Sequence, residues 1–365
     1  MTSPPVIVID NGSGFIKVGI AGNEAPKSIF PSIIGTPKSD QLMVGGQNKD
    51  YFVGFEAVAK KDLLNLKHPI ENGVINNWED IERIWRHSFY DELHLVPEDY
   101  AVLVTEKPLT QRSHREKLMQ IMFETFNVKA YNSQMQPILA LFSLGKTAGI
   151  VYDSGEGVSQ TVSVYEGYGI THTIVQSAVS GNDLTKYLYE KLKDKNVDLS
   201  TANQIKERAC KVALDYATAL QEKEDPLPYT LPDGSVIELG TERITCPEFF
   251  FQPSLMGAKC ESVHQGILNS ITKCEKEIQS TLFSNIILAG GSTMFRGLPE
   301  RIQKEIVSLA PPSEKVNVIA TAGRRNAVWL GGSVIASLEA FPQMSIEKAE
   351  YTEEGVSIVH RKCYC

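Results

Sequence analysis

One short pattern occurs twice in this chain and limits what it can fold into. Asp10–Asn11–Gly12–Ser13–Gly14 and Asp153–Ser154–Gly155–Glu156–Gly157 both read D-x-G-x-G. Each is entered from an apolar run, Val6–Ile9 in the first case and Gly149–Tyr152 in the second. Each leads on to a second strand-like run, Phe15–Ile20 and Gln160–Tyr165. Strand, aspartate, small turn and strand make a β-hairpin signature, and Asn11–Gly12 predicts positive φ at the first turn. The small residues leave backbone N–H groups open to an anion. An aspartate at the strand end adds a hard oxygen for Mg2+ or a metal-bound water. One such turn is an ordinary hairpin. Two in the same context point to an internal duplication, with two lobes whose equivalent hairpins face each other across a cleft.

The rest of the chain alternates strands and helices, which indicates an α/β fold. Tyr100–Thr105 reads as a buried strand, and Leu118, Ile121, Met122 and Phe126 fall at helical spacing. Asn77 is placed to cap a helix with acidic residues in its first turn. Helices are also expected over Gln134–Leu141, over Asn182–Lys195 and from about Thr201 to Leu220. Asn285–Ala289 is a buried strand that ends in Gly290–Gly291–Ser292, with a helix from Leu298 soon after. That order lets a backbone approach a nucleotide closely, though any tight strand-to-helix turn uses glycines too. Val328–Leu338 reads as a buried helix whose Gly331–Gly332 pair allows close packing on another element.

At 365 residues the chain is long enough for two or three domains or one large two-lobed unit. A net charge of −8 argues against broad nucleic-acid binding and favours basic protein partners or plain solubility. No apolar run approaches the length of a membrane span. The start, Met1–Thr2–Ser3–Pro4–Pro5, has no basic region and does not read as a signal peptide. None of the six cysteines forms C-x-x-C. Cys260 with His264, and His360 with Cys363, have the spacing of metal-ligand pairs, but no second pair completes a site. All six read as free thiols; Cys363 and Cys365 are either exposed and reactive or, the reading preferred, part of an inert, mobile tail. Leu42–Met43–Val44–Gly45–Gly46 is an apolar tip in a polar segment, which reads as a contact site or a packed turn.

Together, the paired aspartate hairpins and the Gly290–Ser292 turn resemble the two phosphate motifs and the adenosine motif of the superfamily of actins, sugar kinases and heat-shock chaperones. The resemblance narrows to the actin family. Phe30–Pro31–Ser32–Ile33, Met43–Val44–Gly45, Met119–Val128, Tyr165–Glu166–Gly167–Tyr168, Leu231–Pro232–Asp233–Gly234 and Ser357–Cys363 are similar to actin segments and stand in actin order. The resemblance implies an actin-like ATPase fold with duplicated ribonuclease-H-like lobes around a central nucleotide cleft. The first lobe would be 1–143 plus 327–365, with subdomain 2 at about 32–68. The second would be 144–326, with subdomain 4 at about 180–257.

The resemblance also implies ATP or ADP with Mg2+ (or Ca2+). Asp10 and Asp153, with Gln136 through water, would hold the cation. Gly12, Ser13, Gly14, Phe15 and Lys17 would grip the β-phosphate side, opposed by Gly155, Glu156, Gly157 and Val158. Gly181, Lys206, Glu207, Gly290, Gly291, Ser292, Met294, Phe295 and Arg325 would line ribose and adenine. Gln136, Gln160 and Asp153 would form the catalytic set around the attacking water. The implied partners are further copies of the chain, through the Leu42–Val44 loop, and profilin-, cofilin- or gelsolin-like proteins. The latter would dock an amphipathic helix on the barbed-end groove around Phe142, Tyr168, Ile335 and Met344. The implied setting is the cytoplasmic cytoskeleton, with nucleus or axoneme as alternatives.

Departures from the family pattern carry their own expectations. Gln160 stands where actins usually have a histidine; an amide orients water but is no base near neutral pH, so hydrolysis is expected to be slow. Glu156 replaces an aspartate, Asn72 a commonly methylated histidine, Arg325–Asn326 a lysine–tyrosine pair and Ser345 a common tryptophan. The usual N-terminal acidic cluster is absent, so a myosin that relies on it is expected to engage this chain weakly. The segments 182–205 and 221–227 are shorter than in actins. A divergent filament-forming actin is one reading; an actin-related structural subunit of a larger complex is the other.

Overall fold

The computed structural model describes residues 4–38, 49–222 and 225–363. The Leu42–Val44 tip, Met1–Ser3 and Cys365 lie outside the described residues. The chain divides into two compact units, 1–146 with 326–365, and 147–325.

In the first unit a six-stranded sheet contains β1 (Val6–Asn11), β2 (Phe15–Ile20), β3 (Ser28–Pro31), β4 (Ala101–Glu106) and β5 (Ala130–Met135). The order is β5-β4-β1-β2-β3, with Ile346–Glu347 beyond β5. β1 is antiparallel to β2 and parallel to β4. Val6–Ile9 and Ala101–Val104 are buried on both faces, which is why these strands read as unbroken apolar runs rather than alternating ones.

The second unit repeats the plan with β6 (Gly149–Ser154), β7 (Ser159–Tyr165), β8 (Val175–Ser177), β9 (Ile286–Ala289) and β10 (Val318–Ile319). The order is β8-β7-β6-β9-β10, with β6 antiparallel to β7 and parallel to β9. Each aspartate therefore ends the central strand of its sheet, where an antiparallel hairpin meets a parallel neighbour. This is a duplicated, actin-like α/β fold.

Four local expectations are corrected. Neither Asn11, Gly12 nor Gly14 has positive φ. Gly12 is required for space instead, since a Cβ there would lie 2.5 Å from Phe15 O. Gln134 and Met135 belong to β5, and the helix starts at Gln136, running to Phe142. The expected helix from Thr201 to Leu220 is two helices, Leu199–Ala209 and Tyr216–Glu222. Between them Lys211 N donates to Arg243 O and Val212 N to Arg296 O. Tertiary pairing overrides helical spacing there, and a Cβ on Gly297 would strike Val212 O at 2.3 Å.

Finally, Cys363 is fully buried rather than in a mobile tail. Arg115 Nη2 donates to its carbonyl at 2.6 Å, and burial pushes its thiol pKa up. The other described cysteines are free, and no cluster of three or more metal-ligating side chains occurs among the described residues.

Asn77 caps the helix Trp78–Arg86, its Oδ1 accepting from Asp80 N at 3.0 Å. Asn77→Ala is expected to cost about 1 kcal/mol, read as a lower urea midpoint by the fluorescence of Trp78 and Trp85 in that helix.

Candidate functional site

In the first unit Asp10 is almost wholly buried. Its Oδ2 accepts from Lys17 Nζ at 2.8 Å and its Oδ1 from Thr105 Oγ1 at 2.8 Å. The hairpin places Lys17 here because its register sets Asp10 directly opposite Lys17. Gln136, first residue of its helix, points its Nε2 at Asp10 Oδ1 (3.4 Å), Asn11 O (3.3 Å) and Thr105 Oγ1 (3.4 Å). Asn11 N also donates to Thr105 Oγ1, at 3.1 Å, and Trp85 Nε1 donates to Asn11 Oδ1 at 3.0 Å. The structure therefore brings Asp10, Lys17 and Gln136 together. It adds Thr105 and Trp85, which sequence reasoning passed over. Thr105 had a signal, since it is the first polar residue after the apolar run Ala101–Val104, at the same sheet level as Asp10. Trp85 had none, because its contact spans 74 residues.

Behind these groups lies a cavity of about 40 Å3 lined by Asn11, Thr105, Glu106, Lys107 and Gln136 among others. It has room for a water or two. Asn11 Nδ2, on its wall, is buried without a partner in the protein. Burial lowers the pKa of Lys107 and raises that of Glu106, the latter against the opposing pull of Arg115.

In the second unit Asp153 stands directly opposite Gln160, and Gln160 opposite Gln176. Opposed residues share a sheet face, so the three form a row. Gln160 is 2% exposed, and its Oε1 has no partner in the protein. The loop after Asp153 is tied down by its carbonyls. Gly155 O accepts from Gly181 N (3.0 Å) and Ser292 Oγ (2.8 Å), and Glu156 O accepts from Asn182 N (2.7 Å). Side chains at two glycines are sterically barred. A Cβ on Gly181 would lie 2.5 Å from Ser292 Oγ, and one on Gly290 2.2 Å from Ser154 O.

Lys206 is buried, donating at 2.8 Å to both Gly181 O and Thr185 Oγ1, with Glu156 at 3.7 Å. Those bonds make it a pin holding Gly181 in place. Glu207 and Arg325 are half-exposed and lie 4.0 Å apart, and Gly291 packs beside Arg325. Met294 is on the surface, whereas Phe295 is in the core, near Phe250.

Each loop, taken by itself within its own unit, offers open N–H groups beside a carboxylate. The N–H groups of Ser13 and Gly14, and those of Glu156, Gly157 and Val158, have no acceptor among the described residues. Such a run of open N–H groups favours an anion. Asp10 and Asp153 supply the hard oxygens that Mg2+ takes, commonly through its water shell.

The family model described as Actin matches residues 1–205 and 199–364. The two matches together span nearly the whole length.

Proposed function

The chain belongs to the actin family, and on that premise we propose that it is a divergent actin that binds Mg-ATP, assembles head to tail and hydrolyses ATP slowly on assembly. Members of this family generally bind nucleotide with a divalent cation, act as ATPases, and associate with themselves and with actin-binding proteins. The observation that carries the reading is the paired aspartate loop, once in each unit, with open N–H groups beside a carboxylate in both. The subdomain limits given above belong to this proposal. So do the site residues, the profilin-, cofilin- or gelsolin-like partners and the cytoskeletal setting. No helix among the described residues is long and apolar enough to cross a membrane.

In this reading each residue has a definite task. Lys17 orients the Asp10 carboxylate and adds positive charge beside the phosphates. Ser13, Gly14, Glu156, Gly157 and Val158 donate N–H bonds to phosphate oxygens. Asp10 and Asp153 are the residues that would hold a divalent cation, which would supply further charge neutralisation. Gln136, held by its Nε2, keeps its Oε1 free to orient an attacking water, and Gln160, in the other unit, offers an Oε1 that accepts a hydrogen bond but takes no proton. Lys206 supports the ribose side through Gly181.

A second reading, a structural subunit with nucleotide bound but little turned over, is favoured by one observation: Gln160 is not a base. Sedimentation of the purified protein with Mg-ATP and salt separates the two. Pelletable filaments are expected, with nucleotide bound beforehand and Asp10→Ala abolishing both. A nucleotide-bound protein that stays monomeric at high concentration overturns the filament reading, and one that binds no nucleotide overturns both.

A further inference from the structure

We propose that Asn72–Gly73 is a self-modification site, an asparagine that deamidates through a cyclic imide, and that the Ser13 hydroxyl sets its rate. Strands Ile70–Glu71 and Val74–Ile75 pair antiparallel with Glu71 opposite Val74, which leaves Asn72 and Gly73 as a two-residue turn. Their φ values, 51° and 70°, are those of a type I′ turn. Asn72 is exposed, and its side-chain amide has no partner among the described residues. Gly73 has no side chain to shield its nitrogen.

The chemistry needs only water. The Gly73 nitrogen gives its proton to solvent base and attacks Asn72 Cγ. The new C–N bond closes a five-membered imide, and the side-chain nitrogen leaves as ammonia, taking its proton from water. Water then opens the ring at one carbonyl or the other, leaving aspartate or isoaspartate at position 72.

One contact opposes the first step. Gly73 N donates to Ser13 Oγ at 2.9 Å, and Lys107 Nζ donates to Asn72 O at 3.3 Å. With its N–H engaged and the turn pinned, the Gly73 nitrogen cannot swing onto Asn72 Cγ. Reaction proceeds from openings in which the Ser13–Gly73 contact is broken. Asn11–Gly12 is an internal control. Asn11 ends a strand with its Oδ1 on Trp85 Nε1, and Gly12 N donates to Phe15 O at 3.2 Å. Conversion at position 72 puts a carboxylate beside Lys107. As isoaspartate it also adds a methylene to the main chain of the turn that holds Ser13, so it ages the Gly12–Gly14 loop.

The test is peptide mapping by mass spectrometry after incubating the full-length protein, folded and urea-unfolded, in warm, mildly alkaline buffer. The Asn72 peptide is expected to gain a single dalton and split into aspartate and isoaspartate forms, several-fold more slowly in the folded protein. Ser13→Ala should raise the folded rate several-fold, and Ser13→Thr, which keeps the hydroxyl, should hold it low, with a melting curve for each variant. Equal folded and unfolded rates, a Ser13→Ala rate as slow as the parent's, no conversion in either state, or folded Asn11 converting as fast as Asn72 would each overturn the proposal.

Discussion

Gly331→Ala is expected to disrupt the unit formed by 1–146 and 326–365, whereas Gly332→Ala, one residue on, should be a milder lesion that a second change repairs. Both glycines lie in the helix Ala327–Ala336. A Cβ on Gly331 would sit 1.7 Å from Leu139 O and 2.4 Å from Leu139 C, both backbone atoms of the helix Gln136–Phe142. Backbone has no rotamer to change, so the two helices must separate. Overpacking of well-packed cores typically costs about 1–3 kcal/mol and more where nothing can yield; about 3 kcal/mol or above is expected here. A Cβ on Gly332 meets the Val8 side chain instead, at 2.8 Å. Val8→Ala should therefore rescue Gly332→Ala and leave Gly331→Ala unrescued, a contrast that a double-mutant cycle measures. All three tryptophans, Trp78, Trp85 and Trp329, lie in this unit, so urea unfolding followed by their fluorescence reports on it. Equal midpoints for the two single variants would defeat the prediction. Gln136 is the first residue of the displaced helix, so the Asp10–Gln136 contact should also weaken, which under the proposed function reads as faster loss of bound nucleotide.

The Gly331–Gly332 pair shows what the sequence makes legible and what it does not. Paired glycines in an apolar helix announce close packing, but Leu139 as the partner is a fact of the folded chain. The same division holds elsewhere. Val6–Ile9, Ala101–Val104 and Ile286–Ala289 are plain as strands because burial on both faces demands unbroken apolar runs. The duplication is plain because each copy repeats a local order of strand, aspartate and turn. The break at Cys210–Asp215 was hidden because its backbone partners, Arg243 and Arg296, lie tens of residues away. The burial of Cys363 was hidden because it depends on Arg115, 248 residues distant.

In the candidate site, Asp10 and Lys17 are neighbours by hairpin register. Thr105 is marked locally as the first polar residue after Ala101–Val104, but its place beside Asp10 comes from the parallel pairing of the two strands. Gly12 misled for another reason. Asn-Gly is the usual sign of a left-handed turn, yet here the glycine serves clearance over Phe15 O.

On the function proposed above, Gln160→His should turn a slow, pH-independent ATP hydrolysis into a faster, pH-dependent one. Gln160 is buried on the same sheet face as Asp153, with an oxygen that accepts a hydrogen bond but takes no proton at neutral pH. In the proposed function, an amide at this position leaves the proton of the attacking water to depart by a slower route. A neutral imidazole of similar volume adds a proton acceptor. Positioned general bases contribute about 10²–10⁴ in rate; a grafted histidine, not tuned by its neighbours, should deliver a gain on the order of tenfold or more. The sign of the pH effect follows from which form works. The base is the unprotonated ring, with an ordinary pKa near 6.5, so the variant's rate should rise with pH through that value and fall on acidification. The parent's rate should stay level across the same range, because an amide does not titrate there. Single-turnover hydrolysis of bound ATP, with nucleotide occupancy and melting temperature measured in parallel, isolates the chemical step from binding and folding. If the folded, fully loaded variant hydrolyses no faster than the parent and its rate does not vary with pH, then proton acceptance at position 160 is not what limits this chain.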